Sequence, residues 1–465
     1  MATFSEPRHA APPSLRHPLR IFAQWIGLDR AIGFTVLGRV IQGLGSVVNV
    51  LLILRFLTPT AQGYYYALWS VVALQTVFEL GFSFVILQTA AHERVHLCFD
   101  PGGSVSGSAG AHCRLASILQ RALRWYAAAS FIMGAALLLG GMHFFRLHQA
   151  TGQPSPWLGP LRATVTACMI LFTLGPVLSF LEGCGQVTSI ARVRFFQSAA
   201  SALAACIALI SRHGLYAPAA VLFAQAGVAL MLIWSRRSLL LPLARLDVRG
   251  RGIHWGREVW PFQWKIAVSW LCDYFIFQLF VPVVFAFRGP AEAGRIGLSL
   301  NITLQMSAMM LVWMTTKSAP FGSLVAACNN RQLDSLFFRS FRQSLLLLAV
   351  ASSIVLGGVL AVPHVAPRLA QRIVSWPVFV FLLLSALGSH IVQSEAIYLR
   401  AHKCEPFLVQ SIAIAIATAA SVTWFARTSG TLGVALASFV VLGVCGTMSA
   451  TWIFRAKRRE WGYTG

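Results

Sequence analysis

Runs of about twenty apolar residues with scarcely a charge recur along this chain. Such a run has one stable use, as an α-helix across a bilayer, because only a helix satisfies its own backbone groups where water is absent. The sequence offers twelve candidates, near residues 32–55, 63–90, 117–142, 161–181, 194–211, 215–235, 260–286, 294–315, 338–362, 374–398, 407–425 and 432–454. Charged residues make up 11% of the 465 and hydrophobic ones 57%, whereas a soluble domain carries about 25% charged residues. The expectation is an all-α, polytopic membrane protein with about twelve transmembrane helices in two pseudo-symmetric six-helix bundles.

An even number of spans puts both termini on one side, and the distribution of Lys and Arg says which. On this count 26 of the 37 cations fall in connections on the side of the termini and 9 on the other, with Arg39 and Lys265 inside spans. The positive-inside rule then makes both termini cytoplasmic. It also accounts for the net charge of +23 without nucleic acid, because the basic residues sit in short loops and form no binding stripe. Residues 1–30 lack a compact apolar core before a cleavage site and read as a cytoplasmic tail. The nine cysteines form no C-x-x-C pair and are scattered among apolar segments, which points to neither a disulfide framework nor a zinc ribbon.

The longest basic connection divides the chain: a six-helix half over 31–240, a basic linker over 241–258, a second half over 259–455 and a tail over 456–465. "RFLTPTAQGYYYALWS" follows the first span and "AFRGPAEAGRIGLSL" the seventh, so a P-x-x-x-G turn recurs at Pro59 and Gly63 and at Pro290 and Gly294. Repeats of six spans keep the same orientation and are related by an axis along the membrane normal, an architecture of transporters.

Ionisable groups inside spans are costly and tend to mark a cavity or a partner. Arg39 in the first span and Lys265 in the seventh suggest a repeat-related cationic site for an anion. Asp273, eight residues past Lys265 and roughly on its face, is either its partner or a separate proton site. Glu79 and Glu395 are further candidates for ion coupling, and Asn49, Asn301, Gln75 and Gln305 for polar lining. The competing reading for each is a structural pair between helices or a side chain that snorkels to the interface, as at Lys317.

Two stretches resemble a known family. "RFLTPTAQGYYYALWSVVALQTVFELGFSFVILQTAAHE" resembles the first two helices of Wzx-like polysaccharide transporters, flippases of the multidrug, oligosaccharidyl-lipid and polysaccharide exporter superfamily. "WPFQWKIAVSWLCDYFIFQLFVPVVFAFRGPAEAGRIGLSL" resembles the seventh and eighth helices of polysaccharide-biosynthesis membrane proteins. The resemblance implies alternating-access transfer of an undecaprenyl-pyrophosphate-linked oligosaccharide, an O-antigen or exopolysaccharide repeat unit, across the bacterial inner membrane. It implies no cofactor beyond a proton or ion gradient, and polysaccharide polymerase machinery as a partner. Relatives line a central cavity with Arg and Lys, the role that Arg39 and Lys265 fit here. A small-molecule or drug exporter of the same superfamily is the alternative.

One motif points elsewhere. His92, Glu93 and His96 spell H-E-x-x-H, which on a helix sets two imidazoles on one face beside a general base. A zinc peptidase also needs a third ligand, and the nearby choices are Cys98, Asp100, His112 and Cys113 around the Gly- and Ser-rich insertion at 100–113. With 14 acids in the chain and no D-x-D pair, neither a metalloprotease nor a metal-dependent glycosyltransferase is expected. The motif reads as the amphipathic end of the second span.

Overall fold

The computed structural model describes residues 30–94, 97–99, 105–148, 156–248, 253, 255–258, 260–327, 329–402 and 405–461. Nearly all of them are helical, and the protein is a multi-pass membrane protein. Among the described residues ten helices are long and apolar enough to cross a membrane, or eleven if the bent pair Pro59–Glu79 and Phe82–Arg94 counts as one. One of the ten, Ile266–Gly322, runs for 57 residues. A helix of that length would extend about 85 Å, against a hydrocarbon core of about 30 Å. It covers most of the expected segment 260–286 and all of 294–315, joined at Gly289, whose φ of +83° and ψ of 174° no helix accommodates.

In the first half, α1 (Arg30–Phe56) is followed by α2 (Pro59–Ala73), started by the Thr58 hydroxyl accepting from the Ala61 amide, with Pro59 where its missing N–H costs nothing. The expected second span is broken. After α3 (Gln75–Glu79) the chain passes through Leu80 at φ 49° and Gly81 at φ 67° before α4 (Phe82–Arg94), a bend of 45°. Then come α5 (Ala109–Leu147), α6 (Leu158–Gly183), α7 (Val187–Ile210) and α8 (Ala217–Ser235). The basic linker contains α9 (Arg237–Arg245) and a single turn, α10 (Trp255–Glu258).

The second half holds α11 (Trp260–Phe277), α12 (Phe280–Thr315), α13 (Ser318–Ala326), α14 (Asn330–Val365), the short α15 (Pro367–Ala370), α16 (Trp376–Ala401) and α17 (Leu408–Thr428). The last span starts as α18 (Gly430–Ser438), loosens into a π-helical stretch over Phe439–Gly446 and ends as α19 (Thr447–Glu460). The π stretch coincides with a close helix approach, where a methyl on Gly388 would meet the Gly443 Cα at 2.6 Å.

One departure from all-α is local. Leu97–Phe99 (β1) pairs antiparallel with Val105–Gly107 (β2), which belongs to the Gly- and Ser-rich insertion. The bundle end near residues 30 and 460 is called proximal below, and the opposite end distal. An aromatic cluster including Phe321, Phe337, Tyr398 and Phe454 knits the proximal end of the second half. There Asp334 accepts from Tyr398 Oη at 2.7 Å and from Arg458 at 2.5 Å.

Candidate functional site: the seam between the halves

The repeated P-x-x-x-G turns meet each other. A methyl on Gly63 would fall on the carbonyl oxygen of Pro290, and one on Gly294 would lie 3.1 Å from the carbonyl oxygen of Pro59. Each glycine thus admits the first turn of the other half's helix, the close approach that small residues permit between membrane helices. One turn on, Tyr66 lies against Gly297, with 2.7 Å from a Cβ there to the ring. Residue numbers rise together along both helices, so α2 and the second arm of α12 run parallel, as an axis along the membrane normal requires.

Around this crossing the distal end is tied shut. Gln62, 1% exposed, donates to Gly294 O at 2.8 Å and to Arg372 O at 3.2 Å. The loop carrying Arg372 belongs to the second half, where Arg295 Nε donates to Gln371 O at 2.8 Å. From it the Arg372 guanidinium reaches across to Leu57 O and, at 3.2 Å, to Gln62 Oε1. Burial lowers the Arg372 pKa from its usual value, yet an arginine stays charged at any physiological pH.

Toward the proximal end the seam carries the polar candidates. Asn301 stands four residues past Gly297 and therefore on the face of α12 turned to the first half; it is half-buried. Farther along that helix Met309 touches Gly43 of α1, with 3.0 Å from a Cβ at Gly43 to Met309 Sδ. Arg39 precedes Gly43 by four residues, so it projects from the same side of α1, one turn nearer the proximal end. It is exposed and donates from Nη1 to Gln42 Oε1 at 3.2 Å. By contrast Gly38 and Gly45 turn toward Phe195 and Ala202 of α7, within the first half. Asn49 is tied to α2, donating from Nδ2 to Tyr65 Oη at 3.1 Å.

A second crossing mirrors the first. Gln263 Nε2 of α11 donates to Leu80 O at 2.8 Å, and Ile266 and Trp270 close over Gly81, where a side chain would have no room. Leu80 in a left-handed conformation costs energy for a residue with a Cβ, and the bond to its carbonyl holds the break open. Lys265 lies in α11 at this level, and its side chain falls outside the described residues. Its register is not that of Arg39: Arg39 stands 20 residues before Pro59, Lys265 25 before Pro290.

The acids are placed differently from the cations. Glu79 lies beside the break within reach of Ser83, whose hydroxyl is 2.9 Å from Tyr126 Oη. Glu395 is buried and accepts from Thr451 at 2.8 Å. Asp273 lies within electrostatic reach of Arg400 and Glu405, themselves joined at 2.7 Å. Gln75 accepts from Cys168 at 3.3 Å inside the first half. Arg372, Gln62 and Gln263 carry no signal in spacing or composition, because they act on backbone carbonyls far away in the chain.

The H-E-x-x-H stretch is engaged otherwise. Glu93, the would-be general base, is buried and paired with Arg114 at 2.9 Å, and His92 is exposed. His96 and Asp100 lie outside the described residues. Among the described residues no three His, Cys, Asp or Glu side chains converge on a point.

No protein-family model matches the chain, and no curated protein matches it. Solved structures do. An inward-facing multidrug resistance MATE family transporter of the MOP superfamily superposes with a TM-score of 0.64 at 12% identity, over 91% of this chain and 99% of that one. An outward-facing conformation of such a transporter gives 0.55 at 12% identity, over 92% and 96%. A MOP superfamily transporter from Pyrococcus furiosus, described as having a binding pocket of reverse polarity that suggests a different function, gives 0.57 at 14%, over 93% and 94%. The chain has the fold of these MOP superfamily transporters.

Proposed function

We propose that the chain is a flippase that moves an undecaprenyl-pyrophosphate-linked oligosaccharide across the bacterial inner membrane, from the cytoplasmic to the periplasmic leaflet, by alternating access. In this reading the proximal end and both termini are cytoplasmic, and the two halves over 31–240 and 259–455 rock about the seam. The observation that carries the reading is the position of Arg39, an exposed cation on the face of α1 that meets the other half, toward the proximal end of a seam whose distal end is hydrogen-bonded across the halves. A diphosphate needs such a group, because charge-assisted bonds to phosphate are strong where water is scarce.

The placement of the carboxylates argues against a cationic drug as cargo. Glu395 is held inside the second half by Thr451, and Glu79 inside the first beside Ser83. Both remain candidates for proton or ion coupling, as does Asp273, and Asn301 for contact with the glycan. The neighbours include both inward- and outward-facing forms, which is the conformational pair that alternating access requires.

The test is surface polysaccharide in cells carrying Arg39→Gln, Lys265→Gln or both, at matched protein level. Loss in the double variant supports the head-group site. Full export in the double variant removes it.

A further inference from the structure

Helix α9 leaves the end of α8 at an angle, and between them lies a groove of about 700 Å³ whose lining includes Gly227, Met231, Trp234, Leu241 and Arg237. Its floor is open to the surroundings: Met231 is 74% and Trp234 71% exposed. The other side of α9 is already committed. Leu239 and Leu243 are buried, and Gln120 of α5 donates to Leu243 O at 3.1 Å and to Leu246 O at 2.7 Å. The wall of the groove is therefore fixed by α5, and the cavity exists before anything enters it, which lowers the cost of binding.

Water is a poor occupant, because an ordered water needs two to four polar partners and the lining is almost wholly apolar. At the mouth the Arg237 guanidinium stands 4.7 Å from the Trp234 ring. Its neighbour Arg236 is turned away and donates to Ser189 Oγ at 3.4 Å. An exposed cation stacked on a Trp ring above an apolar trough, at the end of a spanning helix, has the polarity of a lipid molecule.

We infer that this groove is a binding site for an anionic phospholipid, with one acyl chain along Met231 and Trp234 and the headgroup phosphate on Arg237. The site lies where the linker between the halves begins, and its occupant braces α9. It is independent of the cargo that crosses the seam.

Gly227 supplies the decisive variant, since a Cβ there meets no atom within 4 Å. Gly227→Leu fills the trough without displacing protein. The measurement is quenching of tryptophan fluorescence in nanodiscs holding the full chain, with phosphatidylglycerol or phosphatidylcholine brominated in the acyl chains. Brominated phosphatidylglycerol should quench one component at a several-fold lower mole fraction than brominated phosphatidylcholine. That component should vanish in Trp234→Phe and in Gly227→Leu, and Arg237→Gln, which changes only an exposed side chain, should make the two lipids equal. Equal quenching by both lipids in the unaltered chain overturns the inference. So does a phosphatidylglycerol preference that survives Arg237→Gln or Gly227→Leu, which would place it elsewhere on the basic surface.

Discussion

Gly63 and Gly294 face each other across the two halves in reciprocal positions, each leaving room for the backbone that starts the other's helix. In each case the neighbour is backbone, which cannot rotate aside as a side chain can. Gly63→Ala should therefore force the distal ends apart, at a cost of about 1–3 kcal/mol to the closed form. Spin labels on the distal loops of the two halves would read this as a longer or broader distance distribution. An unchanged distribution would mean that the crossing does not hold the distal end.

Arg372 is the charged member of the same closure. Hydrogen bonds from a charged group contribute about 1.5–3 kcal/mol each, and about 1.4 kcal/mol is a tenfold change in a population. Arg372→Gln should shift the protein toward the distally open form by about tenfold or more. Alkylation of a cysteine placed at Tyr66, under the crossing, would report it as faster labelling from the distal side.

These two predictions mark what the sequence showed and what it hid. The spans announce themselves because bilayer thickness fixes their length, and the repeat because Pro59 with Gly63 and Pro290 with Gly294 keep one spacing. That the two motifs touch each other is a fact of packing, invisible to spacing. The break at Leu80 and Gly81 is not legible in the sequence, because Leu gives no signal for a left-handed turn and its support comes from Gln263, far along the chain. Arg372 read as one more loop cation, since its partners lie 310 and 315 residues away. Helical phase puts Asp273 roughly on the face of Lys265, and the fold also brings it within reach of Arg400 and Glu405, which lie too far along the chain for phase to reveal. The paired strands Leu97–Phe99 and Val105–Gly107 are three residues each, too short for alternation to register.

Glu93 and Arg114 give a stability test that also bears on the H-E-x-x-H stretch. Removing Arg114 leaves a carboxylate that is mostly out of water without its partner. Arg114→Met should lower the thermal midpoint, by the equivalent of about 1–3 kcal/mol, and Arg114→Met with Glu93→Gln should recover part of it. If Glu93 served a metal-bound water instead, Glu93→Gln would leave the midpoint alone.

His402 makes the proximal end sensitive to pH. Burial pushes its pKa below the ordinary histidine value of 6.5, against the opposing pull of the Tyr398 carbonyl and the Asp334 carboxylate. Its ring is stacked on Trp461 with 4.0 Å between centroids. Because the unfolded chain binds the proton first, this contribution is intact above about pH 6.5 and is lost as pH falls from there toward the lowered value. Melting curves between pH 7.5 and 5 should fall more steeply for the unaltered chain than for His402→Phe.

Direct translocation tests the central claim. Proteoliposomes holding the purified chain and an undecaprenyl-pyrophosphate-linked oligosaccharide in one leaflet would be probed with a glycosidase that reaches only the outer face. The account predicts transfer of the glycan to the other leaflet, slowed in the variant carrying Arg39→Gln and Lys265→Gln. No transfer of the lipid-linked glycan by a chain that, in the same vesicles, exports a cationic dye would contradict it.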